Sequence, residues 1–161
     1  MTTEEIFATV AVSSWKQIID RLNKALAAIS DEDLKKQVAP GRNRVSYILG
    51  HLTAVHDRMF TLLGVGERLH PELDKPFLES PDGEAADKFS AVDLRKAWNE
   101  VNTKLTAAFE ALKPAQWLER HTSVSAEDFA KEPLRNRLSV LQSRTNHVSF
   151  HAGQIRLTTK S

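Results

Sequence analysis

Two histidines, His147 and His151, stand four residues apart in the stretch Thr145-Asn146-His147-Val148-Ser149-Phe150-His151-Ala152-Gly153-Gln154-Ile155. If this stretch is helical, both imidazoles project from one side, one turn apart, at the spacing that lets them share a single metal ion. The alternative is a pair of partly buried histidines, each satisfied by one hydrogen bond. A zinc-protease motif needs Glu directly after the first histidine, and Val148 stands there, so that chemistry lacks its general base. The chain has no cysteine, which excludes disulfides, thiolate zinc sites, iron–sulfur clusters and a thiol nucleophile of its own. Any metal has to sit on His, carboxylate or water.

Rigid elements must hold such residues, and the apolar spacing predicts four helices. Thr2 with Glu5 reads as a capping box ahead of a stripe at Val12, Trp15, Ile19, Leu22, Leu26 and Ile29. Asn43 is the expected N-cap of a second helix, with its stripe at Val45, Ile48, Leu52, Val55, Met59 and Leu62, ended by Gly64 and Gly66. Ser90 with Asp93 opens a third, with Leu94, Trp98, Val101, Leu105, Ala108 and Leu112 inward and Pro114 after it. The fourth is expected to run from Leu134 through Leu138, Leu141, Thr145, Val148, Ala152 and Ile155. All six prolines fall outside these segments, and strand alternation is nowhere sustained. The expected fold is therefore all-α, a four-helix bundle forming one domain over residues 1–161, with long connections after helices two and three. The first connection, residues 65–89, is long enough to carry short structure of its own or to cover a site.

On a helical wheel of the last helix, with Val148 at zero, His151 falls at about −60°, His147 at about −100°, Gln154 at about −120° and Arg144 at about −40°. The inward face is thus split into a packing half and a polar half. Helix two shows the same division, with His51 at about −60° from Ile48, Tyr47 behind it, and His56 on the far side of the stripe at about +80°. Three histidines from two helices can converge inside one bundle, and His56 is expected to be structural.

The segment His147-Val148-Ser149-Phe150-His151-Ala152-Gly153-Gln154-Ile155 resembles the last-helix HxxxHxGQ motif of the DinB/YfiT-like family of metal-dependent enzymes. Tyr47-Ile48-Leu49-Gly50-His51-Leu52 resembles that family's second-helix GHL element, so the resemblance spans essentially the whole chain. It implies an up-down-down-up four-helix bundle, often dimeric, with a divalent metal held by His51, His147 and His151. Relatives include transferases and isomerases that use low-molecular-weight thiols such as bacillithiol and mycothiol.

Three neutral imidazoles leave a tetrahedral ion a position for water or substrate. Two reactions are then open: hydrolysis by an acidified water, or transfer of a thiol whose proton the metal removes. The second suits a chain without cysteine, since its nucleophile has to come from solution. The competing reading is a non-enzymatic, metal-binding or stress-associated protein whose histidines only tie helices together, and a fourth protein ligand would favour it. Zn, Ni and Fe all accept imidazole, so the metal's identity stays open.

Residues 133–161 contain no Asp or Glu, while Arg135, Arg137, Arg144, Arg156 and Lys160 bring five positive charges. Among them Arg144 is the expected binder of a substrate carboxylate, against the plainer reading of a solvated cationic face. Gln154 is expected to orient a histidine or bond a ligand water, and Tyr47 to donate to a bound substrate. Trp15, Trp98 and Trp117 are expected in the core or a pocket wall. Phe150, off the stripe, suggests a homodimer contact. A net charge of +1 and the lack of a groove-compatible basic motif argue against nucleic acid. With no membrane-length apolar run and no signal-peptide pattern at Met1-Thr2-Thr3-Glu4-Glu5, the expectation is a cytoplasmic protein acting on a small molecule.

Overall fold

The computed structural model describes residues 1–159, so Lys160 of the basic stretch lies outside the described residues. No strand occurs among them; the elements are helices. Four are long: α1 (Thr3–Ala27), α2 (Val45–Leu62), α4 (Ala91–Ala111) and α7 (Arg137–Arg156). Three short ones lie in the connections: α3 (Asp74–Leu78), α5 (Pro114–Trp117) and α6 (Ala126–Lys131). No helix is long and apolar enough to cross a membrane among the described residues.

Contacts between the long helices set their directions. Trp15 Nε1 donates to Thr106 Oγ1 and Trp98 Nε1 to Asn23 Oδ1, so α1 and α4 run antiparallel. His56 meets Asn102, and Lys104 lies over the Phe60 ring, so α2 and α4 run parallel. His51 meets His147, and Arg137 Nε donates to the Leu63 carbonyl, so α2 and α7 run antiparallel. The order is up-down-down-up, and it follows from the long connection between α2 and α4, which returns the chain to the starting end before α4 begins. Trp15, Trp98, Trp117, Phe60, Phe77 and Phe109 are fully buried between the helices. At roughly 1.5–3 kcal/mol for each large side chain, these contacts outweigh any difference in helix propensity.

The capping boxes at Thr2/Glu5 and Ser90/Asp93 form as expected. Two helix starts differ. Asn43 does not cap α2. Its cap position is Arg44, which makes no side-chain cap; instead the Asp82 carboxylate accepts the Arg44 backbone N–H at 2.7 Å. A residue from a distant segment therefore supplies the negative charge that a helix N-terminus favours. α7 begins at Arg137, capped by Asn136 Oδ1 accepting from Ser139 N, and Leu134 is 78% exposed. Leu134 fits the helical spacing, but Pro133 and the Asn136 cap place the start of the helix after it.

The connection over residues 65–89 lies along α2 and carries α3 and two 3₁₀ turns, Pro71–Leu73 and Ala86–Lys88. Asp57, fully buried on α2, accepts from the backbone N–H groups of Leu69 and His70 and from Arg68 Nε. Arg68 in turn forks onto Asp74. Multiple partners of this kind are what a buried carboxylate requires. The clamp holds the connection in register, and that register decides what lies against His51.

Candidate functional site

His51 of α2 and His147 and His151 of α7 are half-buried and come together on the α2–α7 seam. His147 Nε2 lies 3.3 Å from His51 Nε2 and 3.2 Å from His151 Nε2. The opposite ring nitrogens explain this orientation. His51 Nδ1 lies 3.0 Å from the Phe77 carbonyl, which can only accept, so Nδ1 carries the proton and Nε2 a lone pair. His151 Nδ1 donates to Gln154 Oε1 at 2.7 Å, with the same result. A proton on His147 Nε2 could satisfy one of these two neighbours and would leave the other lone pair facing it. A cation between the three satisfies all of them.

The residues fit such an ion. A metal bound to imidazole nitrogens at about 2.0–2.1 Å in tetrahedral geometry sets its ligand atoms about 3.3 Å apart, close to the two separations from His147, and all three ligand atoms lie within 4.8 Å of one another. The electrostatics agree. Burial, reinforced by His151, His51 and Arg144, pushes the His147 pKa down to about 4. Burial also lowers that of His151, with Gln154 acting in the opposite direction. Both rings are therefore neutral at neutral pH, the form that ligates metal.

His51 and His151 each owe their orientation to a local feature. A Cβ on Gly50 would overlap three ring carbons of Phe77, so glycine next to His51 lets that ring pack flat against α2. The close approach brings the Phe77 carbonyl to His51 Nδ1. Phe77 is fully buried, with Tyr47 and Phe89 rings against it at centroid distances of 5.7 and 5.5 Å. Tyr47 takes a part different from the one expected. Its hydroxyl donates to the Ser80 carbonyl at 2.6 Å, so its proton is committed to holding the connection that carries Phe77. Gln154 stands where one of its two expected roles would put it, on His151. Sequence reasoning missed Phe77 altogether, because a backbone carbonyl leaves no side-chain signature; Gly50 was the only visible signal.

Arg144, one turn before His147, has a buried Nε with no partner. Among the described residues the other half-buried arginines, Arg44, Arg68, Arg95 and Arg137, each pair with a carboxylate, and Arg144 does not. His56 is fully buried between Trp15 and Trp98, with ring centroids 4.8 and 5.2 Å away, and its Nδ1 lies 2.7 Å from Asn102 Oδ1. Phe150 is 63% exposed and meets the His151 ring edge-on at 5.1 Å.

The larger clefts lie elsewhere, one of about 650 Å³ along α1 and α4 and one of about 700 Å³ beside the N-terminal end of α4. Neither brings metal-ligating groups together, as the three histidines do. Chemistry rather than volume marks the site.

The family model of the DinB superfamily matches residues 14–155, which include both the Tyr47–Leu52 and the His147–Ile155 segments. This chain belongs to the DinB superfamily. Its DinB-type fold is also similar to a crystal structure of a conserved protein from Enterococcus faecalis. The TM-score is 0.66 at 16% identity, over 98% of this chain and 95% of that one. At that identity the likeness concerns the fold alone. No curated protein matches this DinB-superfamily chain.

Proposed function

We propose that this DinB-superfamily protein is a metal-dependent enzyme in which His51, His147 and His151 hold one divalent ion, Zn, Ni or Fe. The observation that carries the reading is the convergence of three histidines, with His147 Nε2 at 3.2–3.3 Å from the other two Nε2 atoms and all three ligand atoms within 4.8 Å, two of them with their lone pairs directed inward by protons fixed on Nδ1. Bound there, a divalent ion supplies Lewis-acid chemistry, which acidifies a water or a thiol and polarises an electrophile. With these three histidines as its protein ligands, a bound ion would keep coordination open to an incoming molecule, which favours catalysis over a structural tie.

The chain's own residues define the rest. The carbonyl of Phe77 and the amide of Gln154 keep His51 and His151 in one tautomer. Arg144 holds a positive charge without a carboxylate partner beside the ligands, suited to a carboxylate on the substrate or on a thiol cosubstrate. The reaction class is then transfer of a low-molecular-weight thiol to a small electrophile, or hydrolysis of one. Lack of a cysteine supports the thiol version, since the sulfur comes from solution.

Metal analysis of the purified protein beside a His51→Ala/His147→Ala double variant tests the site. About one equivalent of metal in the wild type and almost none in the variant is expected; equal content in both removes the reading. Incubating the loaded protein with an electrophile, with and without a small thiol, then separates the two reactions: a thioether adduct marks transfer, and a hydrolysed product without thiol marks hydrolysis.

A further inference from the structure

Two of the three ligand histidines have a protein acceptor for Nδ1–H; His147 has none. Its Nδ1 is buried without a partner. Among the described residues two other buried side-chain nitrogens share that condition, His56 Nε2 and Arg144 Nε. Their chemistry is complementary. Asn102 Nδ2 donates to the Trp98 carbonyl at 2.8 Å, which turns Asn102 Oδ1 toward His56 Nδ1 and makes that nitrogen the protonated one. His56 Nε2 is therefore an acceptor. Arg144 Nε is always a donor, and His147 Nδ1 becomes one whenever Nε2 faces a metal.

Two of the three groups, His56 and Arg144, sit at nearly the same level of the bundle, with His147 about one turn away. α2 and α7 run antiparallel, with His51 opposite His147 and Leu63 opposite Arg137. His56 thus lies level with Arg144, the two about one helical turn along the seam from the ligands. Burial, the largest cause, pushes the His56 pKa down to about 3, so its ring is neutral and Nε2 keeps its lone pair. Two donors and one acceptor would use three of the four hydrogen-bonding positions of one water, its two lone pairs and one of its two O–H groups.

We propose that His56 is the positioning partner of His147: one buried water accepts from His147 Nδ1–H and Arg144 Nε–H and donates to His56 Nε2, tying the third ligand through Asn102 to the tryptophan core. All three ligands then have a fixed Nδ1 partner: the Phe77 carbonyl, the Gln154 amide and the His56–Asn102 pair. The inference rests on the metal reading above for its consequence, while the hydrogen-bond chain stands on the orphaned nitrogens.

The test measures zinc affinity by competition with a chromophoric chelator for wild type, His56→Leu and His56→Gln, together with imidazole tautomers from long-range ¹H–¹⁵N correlation spectra. His56→Leu is expected to weaken zinc about 10–100-fold, the usual effect of losing a ligand's hydrogen-bond partner. His56→Gln, whose amide can place an oxygen near the same point, should restore most of that loss. In the wild type, His56 and His147 should both appear as Nδ1–H tautomers. Zinc affinity of His56→Leu within twofold of wild type, or a His147 protonated on Nε2 in the zinc-loaded protein, overturns the proposal. Should His56→Leu fail to fold, Arg144→Leu and the wild-type tautomers decide, because neither requires emptying the core. Wild-type protein that binds no zinc rejects the metal reading instead, and the tautomer of His56 with a slowly exchanging His147 Nδ1–H still tests the hydrogen-bond chain.

Discussion

At the scale of single residues, the features that distinguish the site are nitrogens whose partners are fixed or missing. Arg144 is the clearest case, since the other half-buried arginines among the described residues have a carboxylate and this one does not. A charge-assisted hydrogen bond contributes about 1.5–3 kcal/mol, roughly 10- to 150-fold in binding. Arg144→Gln, assayed with metal in excess, is therefore expected to raise KM at least tenfold more for a carboxylate-bearing electrophile than for a neutral analogue. Steady-state kinetics with the pair of substrates checks this, and an unaltered KM for the anionic one rejects the role. The three candidate ligand positions were legible from type and spacing, because helical periodicity alone aligns His147 with His151 and puts His51 on a matching face. What orients them was less so. Gln154 could be placed by its wheel angle, but the Phe77 carbonyl belongs to another segment. The buried surroundings of His56 depend on two tryptophans from two other helices.

At the scale of elements, α2 and the connection after it act as one unit. Gly50 is the contact that permits this, since any Cβ there would meet the buried Phe77 ring. Replacing a mid-helix glycine by alanine usually stabilises by about 0.5–1 kcal/mol, while overpacking a filled core costs about 1–3 kcal/mol. The ring is fully buried and flanked by Tyr47 and Phe89, so the second effect should win. Gly50→Ala is expected to destabilise the fold by about 1–2 kcal/mol and to weaken metal binding by moving the Phe77 carbonyl. Denaturant unfolding and a metal titration measure both, and a stabilised variant with full affinity would contradict this packing argument. Periodicity located the long helices, yet it misjudged the starts of α2 and α7. Those starts are set by Asp82, distant in sequence from α2, and by the Asn136 cap, neither of which periodicity registers.

At the scale of the whole molecule, the site lies on the α2–α7 seam and reaches the surface beside Phe150. An exposed aromatic ring touching His151 is a natural seat for a second copy of the chain, and we propose a homodimer contact there. Phe150→Ser is expected to halve the mass found by light scattering while keeping the helical spectrum. A wild type that already runs as a monomer, or a variant that stays dimeric, removes that contact from consideration.

The sequence by itself determined the all-α class, the long helices and the three histidines, because each depends on local spacing that repeats every turn. It also marked Gln154 and the glycine beside His51. Only the tertiary structure decided that the Phe77 carbonyl fixes His51, that Tyr47 holds the connection, that Asp82 begins α2, and that His56 is level with Arg144. Each of these pairs atoms from separate segments. Their meeting depends on how the Asp57–Arg68–Asp74 clamp and the tryptophan core set helix register, and no periodicity within one segment encodes that.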